Sequence, residues 1–273
     1  MAIAEILLTE DQRLELMNIS QNISEYDIVK FYTFSPDDIK IINKHRRNYN
    51  RLGFAVQLAL LRNPGWSLSN TSNIPESVLN YISQQIHVDT KDFELYAQRE
   101  NTRLEHIQEI RRIYGFKNYK EENNLSLVKI LIPYAMENDN VINLMKLAIN
   151  EIKNQKVILP GITTIEKVVS IVISEADERL IDTINNSITI EQKYKLDLLI
   201  TTKSDDSKTR LGWLKESTGR SSPKAFGEVI KRLEMIRNLH LELNIGGLHP
   251  NRLRQLCRLG SKYRINPFIL DKS

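Results

Sequence analysis

Apolar residues along this chain recur at three- and four-residue spacing, and strict apolar/polar alternation never lasts more than a few residues. That is the period of a helix, not of a strand. The first stretch to show it carries Leu14, Leu16, Met17 and Ile19 behind Thr9, with Gln12 three residues on in a capping-box arrangement. Ser24, with Asp27 in the next turn and Ile28, Val29, Phe31 and Tyr32 beyond it, predicts a second helix. Ser35-Pro36-Asp37-Asp38 predicts a third that reaches about Lys44: a cap, a proline at the first helical position, and two acids at the positive end of the helix dipole. A fourth helix is predicted from about Asn48 to Leu61, apolar from Leu52 onward except at Gln57, and stopped by Asn63-Pro64-Gly65. Four short helices with short connections have the layout of a helix-turn-helix type module.

A polar linker, Ser67–Asn73, separates this unit from a second series of helices. These are predicted after Pro75-Glu76, over about Thr90–Ala97, over Glu100–Tyr114 up to a C-capping Gly115, and over Leu125–Met136 and Val141–Lys153. A turn at Val157–Gly161 opens a third series, with a helix capped by Thr163 or Thr164 and reaching about Ile184, a short one over Ile190–Leu199, and another after Pro223 with Ala225, Phe226, Val229, Ile230, Leu233 and Ile236 on one side. Thr201–Asp206 is polar linker, and the tail after Arg264 has no periodic pattern. The expectation is an all-α protein of consecutive small helical bundles in three modules, residues 1–66, 67–155 and 156–273. Ten glycines and eight prolines in 273 residues leave few breaks in this pattern.

Charge changes the picture more than composition does. The total is only +4, but no Asp or Glu occurs from Ile39 to Pro75, a span holding six Lys or Arg. Lys44, His45, Arg46, Arg47 and Arg51, with Asn48 and Asn50 among them, fall at the turn between the third and fourth helices and in the first turn of the fourth. Uncompensated cations at a helix start suit a polyanion, because side chains and free backbone amides point the same way. A second acid-free run, Leu243–Leu270, includes His249, Arg252, Arg254, Arg258, Lys262 and Arg264. In the long helix, Arg99, Arg103, His106, Ile110 and Ile113 share one stripe, polar at one end and apolar at the other. Its polar end reads either as DNA-facing or as a buried network pairing Arg99 and Arg103 with carboxylates, and both readings stay open.

Several function classes lose support. No phosphate loop, dinucleotide fingerprint, HExxH or nucleophile elbow is present. The five histidines are scattered, and a single cysteine, Cys257, supplies neither a disulfide framework nor a cysteine-based zinc site. Asp37-Asp38 and Asp205-Asp206 read as a helix start and a solvated linker, and Glu175, Asp177 and Glu178 as a solvated helix face. No cofactor, metal, catalytic residue or small-molecule substrate is expected. With no apolar run of membrane-spanning length and no basic leader, a cytoplasmic location is expected.

Three ordered blocks carry a resemblance. Asn50–Leu58 followed by Leu61-Arg62 and Pro64-Gly65 is the first; Tyr96–Arg99, Thr102-Arg103, His106, Ile110 and Tyr114-Gly115-Phe116 form the second; Leu159-Pro160-Gly161 with Thr163–Glu166 is the third. With Trp213-Leu214 and Arg232-Leu233-Glu234 they resemble the N-terminal region of the Tn-three family of bacterial replicative transposases, over most of residues 5–264. The resemblance implies binding of transposon terminal inverted-repeat DNA. It also implies that the family's catalytic Asp-Asp-Glu domain with its magnesium lies outside this chain, which is then a truncated or frameshifted copy or a fragment, and not an enzyme. The expected double-stranded DNA contacts are Lys44, Arg46, Arg47, Asn48, Asn50 and Arg51 in the first module, Arg99, Arg103 and Lys117 in the second, and Arg210, Lys215, Arg220, Lys224, Arg252 and Arg254 in the third. Most should be phosphate contacts. The competing expectation is a module that binds or regulates other transposase subunits, with Phe54, Val56, Leu58 and Leu61 partly forming an interface.

Overall fold

The computed structural model describes residues 7–70, 73–98, 100–201, 209–217, 219–240 and 248–262, and among them all regular structure is helical. In chain order the helices are α1 (Glu10–Met17), α2 (Glu25–Tyr32), α3 (Pro36–Ile42), α4 (Asn48–Arg62), α5 (Glu76–Ile86), α6 (Asp92–Ala97) and α7 (Glu100–Tyr114). They continue as α8 (Glu121–Glu137), α9 (Val141–Asn154), α10 (Ile162–Ser187), α11 (Ile190–Thr201), α12 (Arg210–Lys215), α13 (Pro223–Asn238) and α14 (Pro250–Lys262). The starts follow the predicted chemistry: Thr9 and Ser35 close capping boxes with Gln12 and Asp38, and Ser24 accepts from the backbone of Asp27. Two differences stand out. α10 begins at Ile162, which puts Thr163 and Thr164 inside its first turn, and α14 forms where the sequence suggested only a basic run.

The chain divides into two compact units, residues 1–135 with 140–173, and residues 136–139 with 174–273. In the first, α4 is the axis. Every residue from Leu52 to Leu61 is buried, Gln57 included, and a helix apolar on all sides belongs inside a core. α4 packs against α2, α3, α5, α6 and α7, so residues on both sides of the 67–73 linker share one core. The exposure needed for Phe54, Val56, Leu58 and Leu61 to serve as an interface is absent: all four are 0–3% exposed.

Two features fix α4 at its C-terminal end. At its C-terminal end Arg62 grips the buried Asp38 carboxylate with both Nη atoms, at 2.9 and 2.8 Å, and the Tyr114 hydroxyl donates to the same carboxylate at 2.9 Å. Burial alone would raise the Asp38 pKa, but the hydrogen bonds from Arg62, from the Ser35 backbone and from Tyr114 outweigh it and hold the group well below the usual carboxylate range. Beyond it, Gly65 takes a φ of +106° and leads into Trp66, which is fully buried and donates from Nε1 to the Leu16 carbonyl at 3.2 Å.

In the middle of α4, Gly53 lies against the ring of Tyr96 from α6. Gln57 Nε2 donates to the Tyr96 hydroxyl and to the Arg103 carbonyl (2.9 Å), and the Tyr96 hydroxyl lies 3.1 Å from His106 Nδ1. Burial, reinforced by neighbouring His45, lowers the His106 pKa to about 4, so the ring is neutral at pH 7. The stripe on α7 therefore resolves toward the interior: His106 and Ile110 are buried, while Ile113 is 40% exposed. No described carboxylate pairs with Arg103, whose Nε is buried and unpartnered; Arg99 lies outside the described residues.

In the second unit, Arg252 of α14 is buried between Asp139, at 2.7 Å, and Asp177, and Gln255 donates to Asp139. Arg232 of α13 stacks over the Trp213 ring of α12, 5.2 Å from its centroid, and donates to the Glu216 carbonyl.

Candidate nucleic-acid interface

The basic turn between α3 and α4 is short because the chain leaves one helix and enters the next within five residues. Lys44 and His45 N–H donate back to the Ile41 and Ile42 carbonyls, and Arg51 Nε donates to the His45 carbonyl at 2.9 Å. Arg47 sits at the N-cap of α4 and gives no side-chain cap. This leaves Lys44, Arg46, Arg47 and Asn48 exposed side by side, with Arg47 against Tyr49, 5.7 Å above its ring. Asn50 and Arg51 are half-buried: Arg51 braces the turn, and Asn50 Oδ1 is buried without a partner.

Beneath the turn, His45 is turned inward. Its ring lies 4.5 Å from that of Phe54 and 4.6 Å from that of His106, centroid to centroid, and burial lowers its pKa although Glu109 opposes this. Its Nε2 is 3.8 Å from Glu109 Oε2. So Glu109 of α7 meets the turn from its buried side, and Lys40 and Arg62 elsewhere in the acid-free segment pair with Asp37 and Asp38, while the outward side of the turn keeps Lys44, Arg46 and Arg47 exposed without an ion pair among the described residues.

The other expected contacts divide by exposure. Lys117 is exposed on the segment between α7 and α8, and its backbone bridges to Lys156 and Ile158 at 2.8 and 2.9 Å. In the second unit α12 and α13 follow one another along the chain, separated by residues 216–222. Thr209 and Ser222 cap them, Gly219 lies between them at a φ of +75°, and Arg210, Lys215, Arg220 and Lys224 are exposed. Arg254 is also exposed. Arg252 is not where it was expected: only 3% exposed and held by two carboxylates, it has no surface to offer a phosphate, and it serves to anchor α14. Asp177, expected on a solvated face, is one of those two partners. Sequence spacing held no signal for this pairing, since residues 139, 177 and 252 meet only in the folded unit.

Among the described residues no group of three or more His, Cys, Asp or Glu could hold a metal ion, and no helix is long and apolar enough to cross a membrane. Residues 7–172 match the family described as a domain of unknown function, DUF4158. The chain is 45% identical over 260 residues to the transposase for transposon Tn1546 of Enterococcus faecium and 31% identical over 258 residues to that for transposon Tn501 of Pseudomonas aeruginosa. Each alignment covers 94% of this chain and 26% of the relative. The transposase for transposon gamma-delta of Escherichia coli is 26% identical over 255 residues, 92% of this chain and 25% of its own length. The chain thus spans about a quarter of the relatives it matches.

Proposed function

We propose, from the premise that this chain belongs to the DUF4158 family and is homologous to one quarter of the Tn-three family transposases, that it binds the terminal inverted-repeat DNA of a transposon. The observation that carries this reading is the turn of residues 43–48. Four exposed polar or cationic side chains, Lys44, Arg46, Arg47 and Asn48, stand on a turn and helix start that the buried run Leu52–Leu61 of α4 anchors in the core. A duplex backbone meets such a surface through phosphate contacts, which supply most of the affinity. Asn48 has the amide geometry to read adenine, and an arginine the fork to read guanine. Arg51 acts from behind, bracing the turn through the His45 carbonyl. Lys117 adds a contact in the second segment, and Arg210, Lys215, Arg220, Lys224 and Arg254 add a third.

A mobility-shift titration against a duplex carrying a transposon end tests this. Arg46→Ala with Arg47→Ala should weaken binding and flatten the dependence of log affinity on log salt by about two units, since each phosphate contact contributes about 0.9. Unchanged affinity and slope would remove the turn from the interface.

A second reading, docking to another transposase subunit, draws on α13. Phe226, Leu233 and Ile236 are 67%, 59% and 52% exposed, and with Val229 and Ile230 they form one apolar stripe. Light scattering of the chain alone and with Leu233→Lys discriminates: a salt-insensitive dimer lost in the variant favours docking.

A further inference from the structure

We propose that a cavity at the start of α8, separate from the basic turn, is a phosphate-binding pocket for the DNA backbone. It has a volume of about 470 Å³ and is walled by the end of α7, the segment that follows Gly115, and the first turn of α8. Gly115, at a φ of +75°, turns the chain out of α7, and the backbone bridge between Lys117 and Val157 then fixes its course. The Tyr119 hydroxyl donates to Asn124 Oδ1 at 2.6 Å, and Lys120 N–H donates to Asn123 Oδ1 at 2.7 Å, which pins the loop to the helix. The walls are therefore built before any ligand arrives.

Three cations line this cavity, Arg111, Lys117 and Lys120, against one acid, Glu122. None of the three is ion-paired among the described residues, and Arg111 Nε is buried with no hydrogen-bond partner. Clustered cations repel one another, and a guanidinium N–H left unpaired away from water is destabilising. A phosphate oxyanion relieves both: it neutralises the cluster and accepts from the guanidinium fork, often through two parallel bonds. The amide side chains of Asn118 and Asn123 add donors, and α8 begins here, so its positive dipole end faces the same space. Phe116 and Val157 supply an apolar part of the lining beside these polar groups, which suits an anion that carries a sugar. The volume exceeds what a bare anion fills and leaves room for a sugar flanking a phosphodiester.

The inference rests on the DNA-binding reading, and its test separates the two. The full chain is titrated with a random-sequence duplex over a range of salt. Lys117→Gln with Lys120→Gln, both exposed and so without consequence for the core, should flatten the salt slope by about two units. Arg111→Gln should lower affinity, and Arg111→Lys should restore part of it, because the charge returns without the fork. Wild-type binding with slope and affinity unchanged in all three variants overturns the pocket and leaves the basic turn intact. A parallel thermal melt with inorganic phosphate, against chloride at equal ionic strength, separates the sources. A midpoint raised in the wild type but not in Arg111→Gln, with the duplex slope unchanged, assigns the pocket to free phosphate and overturns the backbone contact. A slope change without a phosphate-dependent midpoint assigns it to the DNA backbone. Absence of both effects overturns the pocket, and failure of the wild type to bind any duplex overturns the DNA reading itself.

Discussion

Replacing Gly53 with alanine should destabilise the protein, although the same change in an isolated helix would stabilise it. Glycine inside a helix costs about 0.5–1 kcal/mol relative to alanine, so local propensity favours the substitution. Against that, an alanine Cβ at position 53 would sit 2.2 Å from Tyr96 Cγ and 2.3 Å from both Cδ atoms. Those atoms are the base of a ring that is itself fully buried, not the free end of a flexible chain. Restoring van der Waals contact at about 3.5 Å requires α4 and α6 to separate by more than 1 Å, or the ring to leave its place. Overpacking of this kind costs about 1–3 kcal/mol. Displacing the ring also breaks the hydrogen bonds from Gln57 and toward His106, each worth about 1 kcal/mol. The net expectation is a loss of about 2–4 kcal/mol, read as a lower urea midpoint at unchanged m-value and a melting temperature lower by roughly 5–12 °C. Removing the ring should reverse the sign: in the Tyr96→Ala background, Gly53→Ala should be neutral or stabilising, which a double-mutant cycle measures directly. A Gly53→Ala single variant as stable as the wild type would refute the claim that this contact sets the spacing of the two helices.

Asp38→Ala leaves Arg62 without its partner, and because the Arg62 side chain is 33% exposed the cost should be about 2–3 kcal/mol by urea melting, below the range for a fully buried pair. The Asp38 pKa is depressed in the fold, so its contribution is present above the ordinary carboxylate range and is lost as pH falls through the folded value; melts in acid should converge for wild type and Asp38→Ala. His106 has its own window. Its pKa is about 4 in the fold against about 6.5 when unfolded, so the unfolded chain takes up a proton first. Stability should hold above about pH 6.5 and decline by about 2 kcal/mol as pH falls toward 4, with a smaller decline in His106→Phe; equal slopes in the two proteins would place the titration elsewhere.

Much of the fold was legible along the chain, because helices are local objects. The capping of α1, α2 and α3, the stop after α4 at Asn63-Pro64-Gly65, and the limits of α7 follow from residues within one turn of each boundary. The all-apolar run of α4 announced a buried helix for the same reason. α14 was missed because its polar and cationic residues outnumber its apolar ones, so the apolar face, although it recurs at helical spacing, is narrow.

The sequence by itself determined which stretches carry cations with no acid beside them along the chain and where most helices begin, since both depend on neighbours in the chain. Only the tertiary structure decided which cations remain available. Arg252 and Arg254 are two residues apart in the same basic run, yet one is clamped between Asp139 and Asp177 and the other faces solvent. His45 lies in the basic turn but turns inward to Phe54, His106 and Glu109, while Arg46 and Arg47 beside it stay exposed. The reason is physical: a charge can stay in the interior only where partners from distant segments offset its lost hydration, and no local pattern records those partners.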